Sequence, residues 1–170
     1  KMNEGKLDAQ FLAAFLSQKE RDDASLQKAV ERCHGLIQNI HADVEKYKDA
    51  CGIALTEKDA WELKKQGKKA FFIGIENGYG IGKDLKNILK FKNMGVNYIT
   101  LCHSYDNDIC HSSTNTEDAS KGLTSFGRDV VKEMNRVSMI IDLSHANEAT
   151  FWDVIKLSID PVIASHSGAK

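Results

Sequence analysis

Two apolar runs near the carboxyl end of the chain, MIIDLSH (139–145) and PVIASH (161–166), each finish in a histidine. Two earlier runs are built alike: FFIGIE (71–76) finishes in Glu76 and YITLCH (98–103) in His103. Imidazoles and carboxylates hold borderline divalent metals and move protons near neutral pH. The set Glu76, His145 and His166, two imidazoles and a carboxylate, suits Zn²⁺ with ligand nitrogens at about 2.0–2.1 Å. A carboxylate also has two oxygens, enough to bridge two ions roughly 3.5–4 Å apart, and water activated there attacks a carbonyl. His103 is a fourth ligand or an acid–base group.

The other polar residues read more plainly. His34 and His41 lie seven apart within one amphipathic stretch and are ordinary helix residues. His111 sits in the polar loop SYDNDICHSSTNTEDASKG and is expected in solvent. Asp142, inside its run and three residues before His145, is either a support for a metal ligand or a buried, paired carboxylate, the latter favoured. Cys33, Cys51, Cys102 and Cys110 form no CxxC pair, and their spacing matches no common structural zinc site. A Cys102–Cys110 disulfide and free thiols are both open. GIENGYGIG lacks the lysine and hydroxyl residue of a phosphate loop, so its glycines serve close backbone approach around Glu76.

The elements that must carry these residues follow from periodicity. SLQKAVERCHGLIQNIHADVEKY (25–47) repeats apolar residues at spacings of three and four and predicts a long amphipathic helix. Thr56, with Asp59 three residues on, caps a helix that Gly67 stops. From residue 69 the pattern alternates: strand (69–76), helix (83–95), strand (96–103), polar loop, helix (123–137), strand (138–145), helix (146–158), strand (161–166). DAQFLAAFLS (8–17) fits strand or helix. Strands separated by helical stretches predict an α/β fold with parallel strands, in which catalytic side chains gather at the carboxyl ends.

A chain of 170 residues with 42% hydrophobic residues bounds this to one domain with its own core. Its 23 basic and 24 acidic residues give a net charge of −1, with no basic stripe for nucleic acid. No apolar run approaches the roughly 18 residues of a membrane helix. The opening Lys1-Met2-Asn3 reads as part of a longer chain.

The stretches FFIGIENGYGIGKDLKNILKFKNMGVNYITLCHSYDND, GLTSFGRDVVKEMNRVSMIIDLSHA and PVIASHSGA together resemble the membrane (renal-type) dipeptidases, zinc metallopeptidases of the amidohydrolase-like TIM-barrel group. LDAQFLAAFLS is similar to the family segment after its first metal motif. The resemblance implies Glu76 as the carboxylate bridging two zinc ions, His145 and His166 as completing one metal position, and His103 as the catalytic, substrate-binding histidine that polarises the scissile carbonyl of a dipeptide. It implies a partial (β/α)8 barrel, about half, spanning 1–170 without the first metal-motif strand or the C-terminal half. The family's His-x-Asp motif is expected to be missing from this chain altogether, and its arginine after the second histidine and its late aspartate to fall beyond Lys170. The expectation is therefore at most one complete zinc position and little activity from this polypeptide alone. A non-catalytic metal-binding module and another TIM-barrel amidohydrolase are the alternatives; the latter would favour a carboxylated lysine where Glu76 stands. Open sheet edges would favour a homo-oligomer, and family likeness favours an exported, periplasmic or membrane-anchored parent.

Overall fold

The computed structural model describes residues 2–168. Strand β1 (Ala9–Phe15) resolves the ambiguity of the first apolar run in favour of extended chain. Helix α1 (Asp23–Lys46) follows, with the Asp22 side chain accepting from the Ser25 amide at its start. Leu26, Ala29, Cys33, Ile37 and Val44 are its buried stripe, so the three-four spacing marks the face that packs. A three-residue strand, β2 (Cys51–Ile53), was not anticipated; it is too short to show any period. Helix α2 (Glu57–Lys65) carries the expected capping box, Thr56 with Asp59, and Gly67 beyond it adopts φ +74°.

The sheet proper begins with β3 (Lys69–Glu76), followed by α3 (Lys86–Asn93), β4 (Val96–Thr100), α4 (Ser125–Arg136), β5 (Ile140–Asp142) and α5 (Glu148–Leu157). All pairings are parallel and the order is β1-β3-β4-β5, with β2 paired to the first residues of β3. Register places Phe15 beside Glu76, Glu76 beside Thr100, and Thr100 beside Asp142. The carboxyl ends of the four main strands are thus level. β4 is buried along its whole length, as a strand covered on both faces should be. Ile99 of β4 shares one core with Ile73, Ile75, Ile141 and Val131.

Two strands end earlier than the sequence pattern implies, and a third expected strand does not form. β4 stops at Thr100 rather than at His103, and β5 spans only 140–142 of the 138–145 run. The 161–166 run forms no strand; it touches β5 through a single parallel bridge, Asp142 to Ile163, with Leu143 N–H donating to the Ile163 carbonyl (2.8 Å). For β5 and the 161–166 run the physical reason is the Asp142 carboxylate. It draws the amides of Ser144 and Ser165 onto itself, which turns both chains out of the ladder. His145 completes that turn in the left-handed region, φ +68°.

Candidate metal centre

Glu76 is the last residue of β3, and its carboxylate is the point on which the site converges. His145 Nε2 and His166 Nε2 each lie 3.4 Å from Glu76 Oε1, and His103 Nε2 lies 3.6 Å away. His145 Nε2 and His166 Nε2 are 2.8 Å apart. Glu76, His103 and His145 offer ligand atoms all within 4.8 Å of one another. All four anticipated residues therefore meet at one mouth of the sheet, though only Glu76 does so from a strand end. The histidines come from the loops just beyond, which have the freedom to aim inward that an alternating strand lacks.

The donor set fits a small divalent cation. Ligands held tetrahedrally at about 2.0–2.1 Å stand about 3.3 Å from one another. The two Glu76-to-imidazole separations of 3.4 Å match that edge, and the 2.8 Å histidine pair lies somewhat inside it. Burial, together with the neighbouring His103 and His166 rings, holds the His145 pKa below its ordinary 6.5 against the pull of Glu76. The neutral ring, the form that binds metal, is favoured.

Around this centre stand groups that sequence patterns did not single out. Phe15, at the end of β1, sets its ring edge-on to His103 with centroids 5.0 Å apart. The Ser104 hydroxyl lies 2.9 Å from His103 Nδ1. Ser112 donates its hydroxyl to the His103 carbonyl (2.6 Å) and its neighbour Ser113 donates its amide to the His145 carbonyl (2.8 Å), so one loop holds both histidines. Serines are too common in loops for position alone to mark them. Beside His145 and His166 opens a groove of about 920 Å³ with Leu143, Phe151 and Trp152 among its walls.

Asp142 is fully buried, and its carboxylate accepts five hydrogen bonds. The Thr100 and Ser165 hydroxyls, each at 2.6 Å, reach Oδ2; the Ser144 amide and hydroxyl and the Ser165 amide reach Oδ1. Burial pushes its pKa up, but these donors outweigh burial and hold it below the usual carboxylate range. The favoured reading of a buried, satisfied carboxylate is what the structure contains.

Other expectations change. His111 is not solvated: it is half-buried, its Nδ1 is 2.9 Å from the Gly122 carbonyl and its Nε2 is 3.8 Å from Asp106. It forms a second compact group with Asp106 and Asp118, whose carboxylates are already taken up by the Ser112 amide, Asn115 and Lys121. All four cysteines, Cys102 and Cys110 included, are buried free thiols, and burial pushes Cys33 up to about 12. A His-x-Asp triplet does exist, His41-Ala42-Asp43, but on α1. His41 Nε2 bonds the Met94 carbonyl (2.7 Å) beside the amino end of β4, and Asp43 pairs with Lys46, so neither faces the centre.

Comparison with known proteins gives relatives of one kind. The chain is 33% identical over 173 residues to dipeptidase verJ of Clonostachys rogersoniana, covering 98% of this chain and 45% of that protein. The probable dipeptidase PvdM of Pseudomonas aeruginosa superposes with a TM-score of 0.88 at 25% identity, over 98% of this chain and 44% of that one. A dipeptidase AC described as a metallopeptidase superposes at 0.85 and 25% identity, over 98% and 52%. The chain thus spans about half the length of the relatives it matches, as expected of part of a TIM-barrel-like dipeptidase. The model of the membrane dipeptidases, peptidase family M19, matches residues 1–170, and the chain belongs to that family.

Proposed function

We propose that the parent protein is a zinc-dependent dipeptidase and that this chain supplies one metal position of its centre. The observation that carries the reading is the convergence of the His145 and His166 nitrogens on Glu76 Oε1 at 3.4 Å each. When bound, zinc supplies a Lewis acid and lowers the pKa of water at the site. Glu76 would contribute the negative charge that holds the cation. His145 and His166 contribute neutral nitrogen.

His103 has a different task. We assign the Ser104 hydroxyl, 2.9 Å from Nδ1, as the donor of that pair; Nε2 then carries the hydrogen and can donate it to a peptide carbonyl as negative charge develops there. Phe15 limits the tilt of that ring and keeps water from one of its edges. The apolar groove beyond His145 would take a dipeptide side chain, with Phe151 and Trp152 as its walls.

Zinc content and dipeptide hydrolysis test the reading together. The 170-residue chain is expected to retain about one zinc per chain after dialysis and to hydrolyse dipeptides poorly. A longer chain carrying further metal donors is expected to be active. Brisk hydrolysis by the 170-residue chain would refute the single-position reading, and no zinc retention by either would refute the metal centre.

A further inference from the structure

The metal reading leaves unexplained why Asp142, the most heavily hydrogen-bonded side chain near the site, touches none of the four converging residues. Its link to them is Ser165. The Ser165 hydroxyl donates to Asp142 Oδ2 at 2.6 Å, and the same oxygen lies 2.7 Å from His166 Nδ1. A serine hydroxyl has one hydrogen. The Asp142 carboxylate already accepts from Thr100 and Ser144 as well, so it is an ionised acceptor with no hydrogen to give.

Only one placement puts a hydrogen in each gap: Ser165 donates to Asp142, and His166 Nδ1–H donates to Ser165. The reverse placement would leave two oxygen lone pairs facing each other at 2.6 Å. With Nδ1 protonated, a neutral His166 has its lone pair on Nε2, the atom that faces Glu76 and His145.

We propose that Asp142, acting through the Ser165 hydroxyl, is a positioning residue that fixes the Nδ1–H tautomer of His166 and presents Nε2 to the cation. A free histidine prefers the other tautomer, with hydrogen on Nε2, which cannot bind metal there without rearranging. The arrangement corresponds to the hydrogen-bonded partner that metal-binding histidines generally carry on their other nitrogen, here with a serine interposed. The backbone shares in it, because the Ser144 hydroxyl that bonds Asp142 also accepts the His166 amide (3.1 Å). Asp142 thereby holds both the ring's proton and the loop that carries the ring.

Ser165 is exposed, so its variants should fold. The inference rests on the metal reading only for its consequence, and the tautomer is testable without metal. In metal-free protein labelled with ¹⁵N-histidine, long-range ¹⁵N–¹H spectra are expected to show His166 with a protonated Nδ1 and a bare Nε2. Ser165→Ala is expected to convert it largely to the Nε2–H form, and Ser165→Thr, which keeps the hydroxyl, to restore it. Zinc affinity, measured by chelator competition, is expected to fall roughly 10–100-fold in Ser165→Ala and to recover in Ser165→Thr. An Nε2–H tautomer in the unaltered protein, or unchanged tautomer and zinc affinity in Ser165→Ala, overturns the proposal. The expected tautomers without zinc binding by any form would support the relay and remove the functional reading instead.

Discussion

His145 Nε2 and His166 Nε2 stand 2.8 Å apart and equidistant, at 3.4 Å, from one oxygen of Glu76. Without a cation, one hydrogen between the two rings satisfies both. With a cation, that hydrogen must leave. Zinc affinity should therefore collapse in Glu76→Gln, His145→Ala and His166→Ala, by at least about 100-fold each, while His103→Ala changes it only a few-fold. Competition titration against a chromophoric chelator separates the two classes. The uptake should also persist somewhat below pH 6.5, because the His145 pKa lies under that ordinary value, and then fall as protons displace the cation.

Asp142 predicts a pH-dependent stability. Its folded-state pKa lies below its unfolded value of about 3.9, so the folded state binds fewer protons. Its contribution is complete above about pH 5 and is lost as the pH falls through the folded-state value. Asp142→Asn should remove it at every pH: the amide nitrogen replaces an oxygen that accepts at least two of the five hydrogen bonds and turns its own hydrogens toward those donors, costing roughly 3 kcal/mol. Urea denaturation at pH 7 and from pH 4 down through the folded-state value is the check. The gap between the two proteins should narrow at acid pH.

Much of this architecture was legible because its signals are local. The buried face of α1, the Thr56 capping box and the uninterrupted apolar run of β3 each rest on residues within a few positions of one another. The four site residues were legible for a related reason: each closes an apolar run. Illegible were the features that depend on distant pairing. β2 exists because β3 lies beside it, and 161–166 fails as a strand because Asp142, some twenty residues earlier, captures the Ser165 amide. His111 looked like a loop residue in water because Gly122, which binds its ring, is identifiable only once the loop has closed.

Gly74 predicts a packing effect next to the site. A Cβ there would lie 2.0 Å from the Tyr98 ring, on the same face of β3 as Glu76 two residues on. The Tyr98 hydroxyl, pushed up to about 12 by burial and then by the Asp142 and Glu76 carboxylates, is held in that crowded interior. Gly74→Ala should displace the ring and destabilise the protein by about 1–3 kcal/mol. Chemical denaturation measures the cost, and a change in near-ultraviolet circular dichroism would report the moved tyrosine. An unchanged spectrum with unchanged stability would mean that the strand shifts freely there.

The capping box offers a control remote from the metal centre. The Thr56 hydroxyl accepts from the Asp59 amide, and the Asp59 carboxylate accepts from the Thr56 amide at 2.8 Å. Thr56→Ala should cost about 1 kcal/mol by exposing the first-turn amides of α2. It should leave zinc affinity unaltered, since the Thr56 side chain bonds Asp59 of its own helix and none of the four converging residues.

His145 separates chemistry from stability most sharply. Its backbone, at φ +68°, occupies a region that costs a side-chain-bearing residue on the order of 1 kcal/mol, and its carbonyl is tied there by the Ser113 amide. Glycine meets no such penalty. In chelator, His145→Gly should therefore be as stable as the unaltered protein to within about 1 kcal/mol, because relief of strain offsets the lost contact with the His103 ring, 4.2 Å away. His145→Ala keeps the strained backbone without the ring and should be less stable than His145→Gly by roughly 1 kcal/mol. Both should lose zinc. Urea midpoints of the three metal-free proteins decide the matter: if alanine proves more stable than glycine, the left-handed backbone at 145 is not a strain held for the sake of the imidazole.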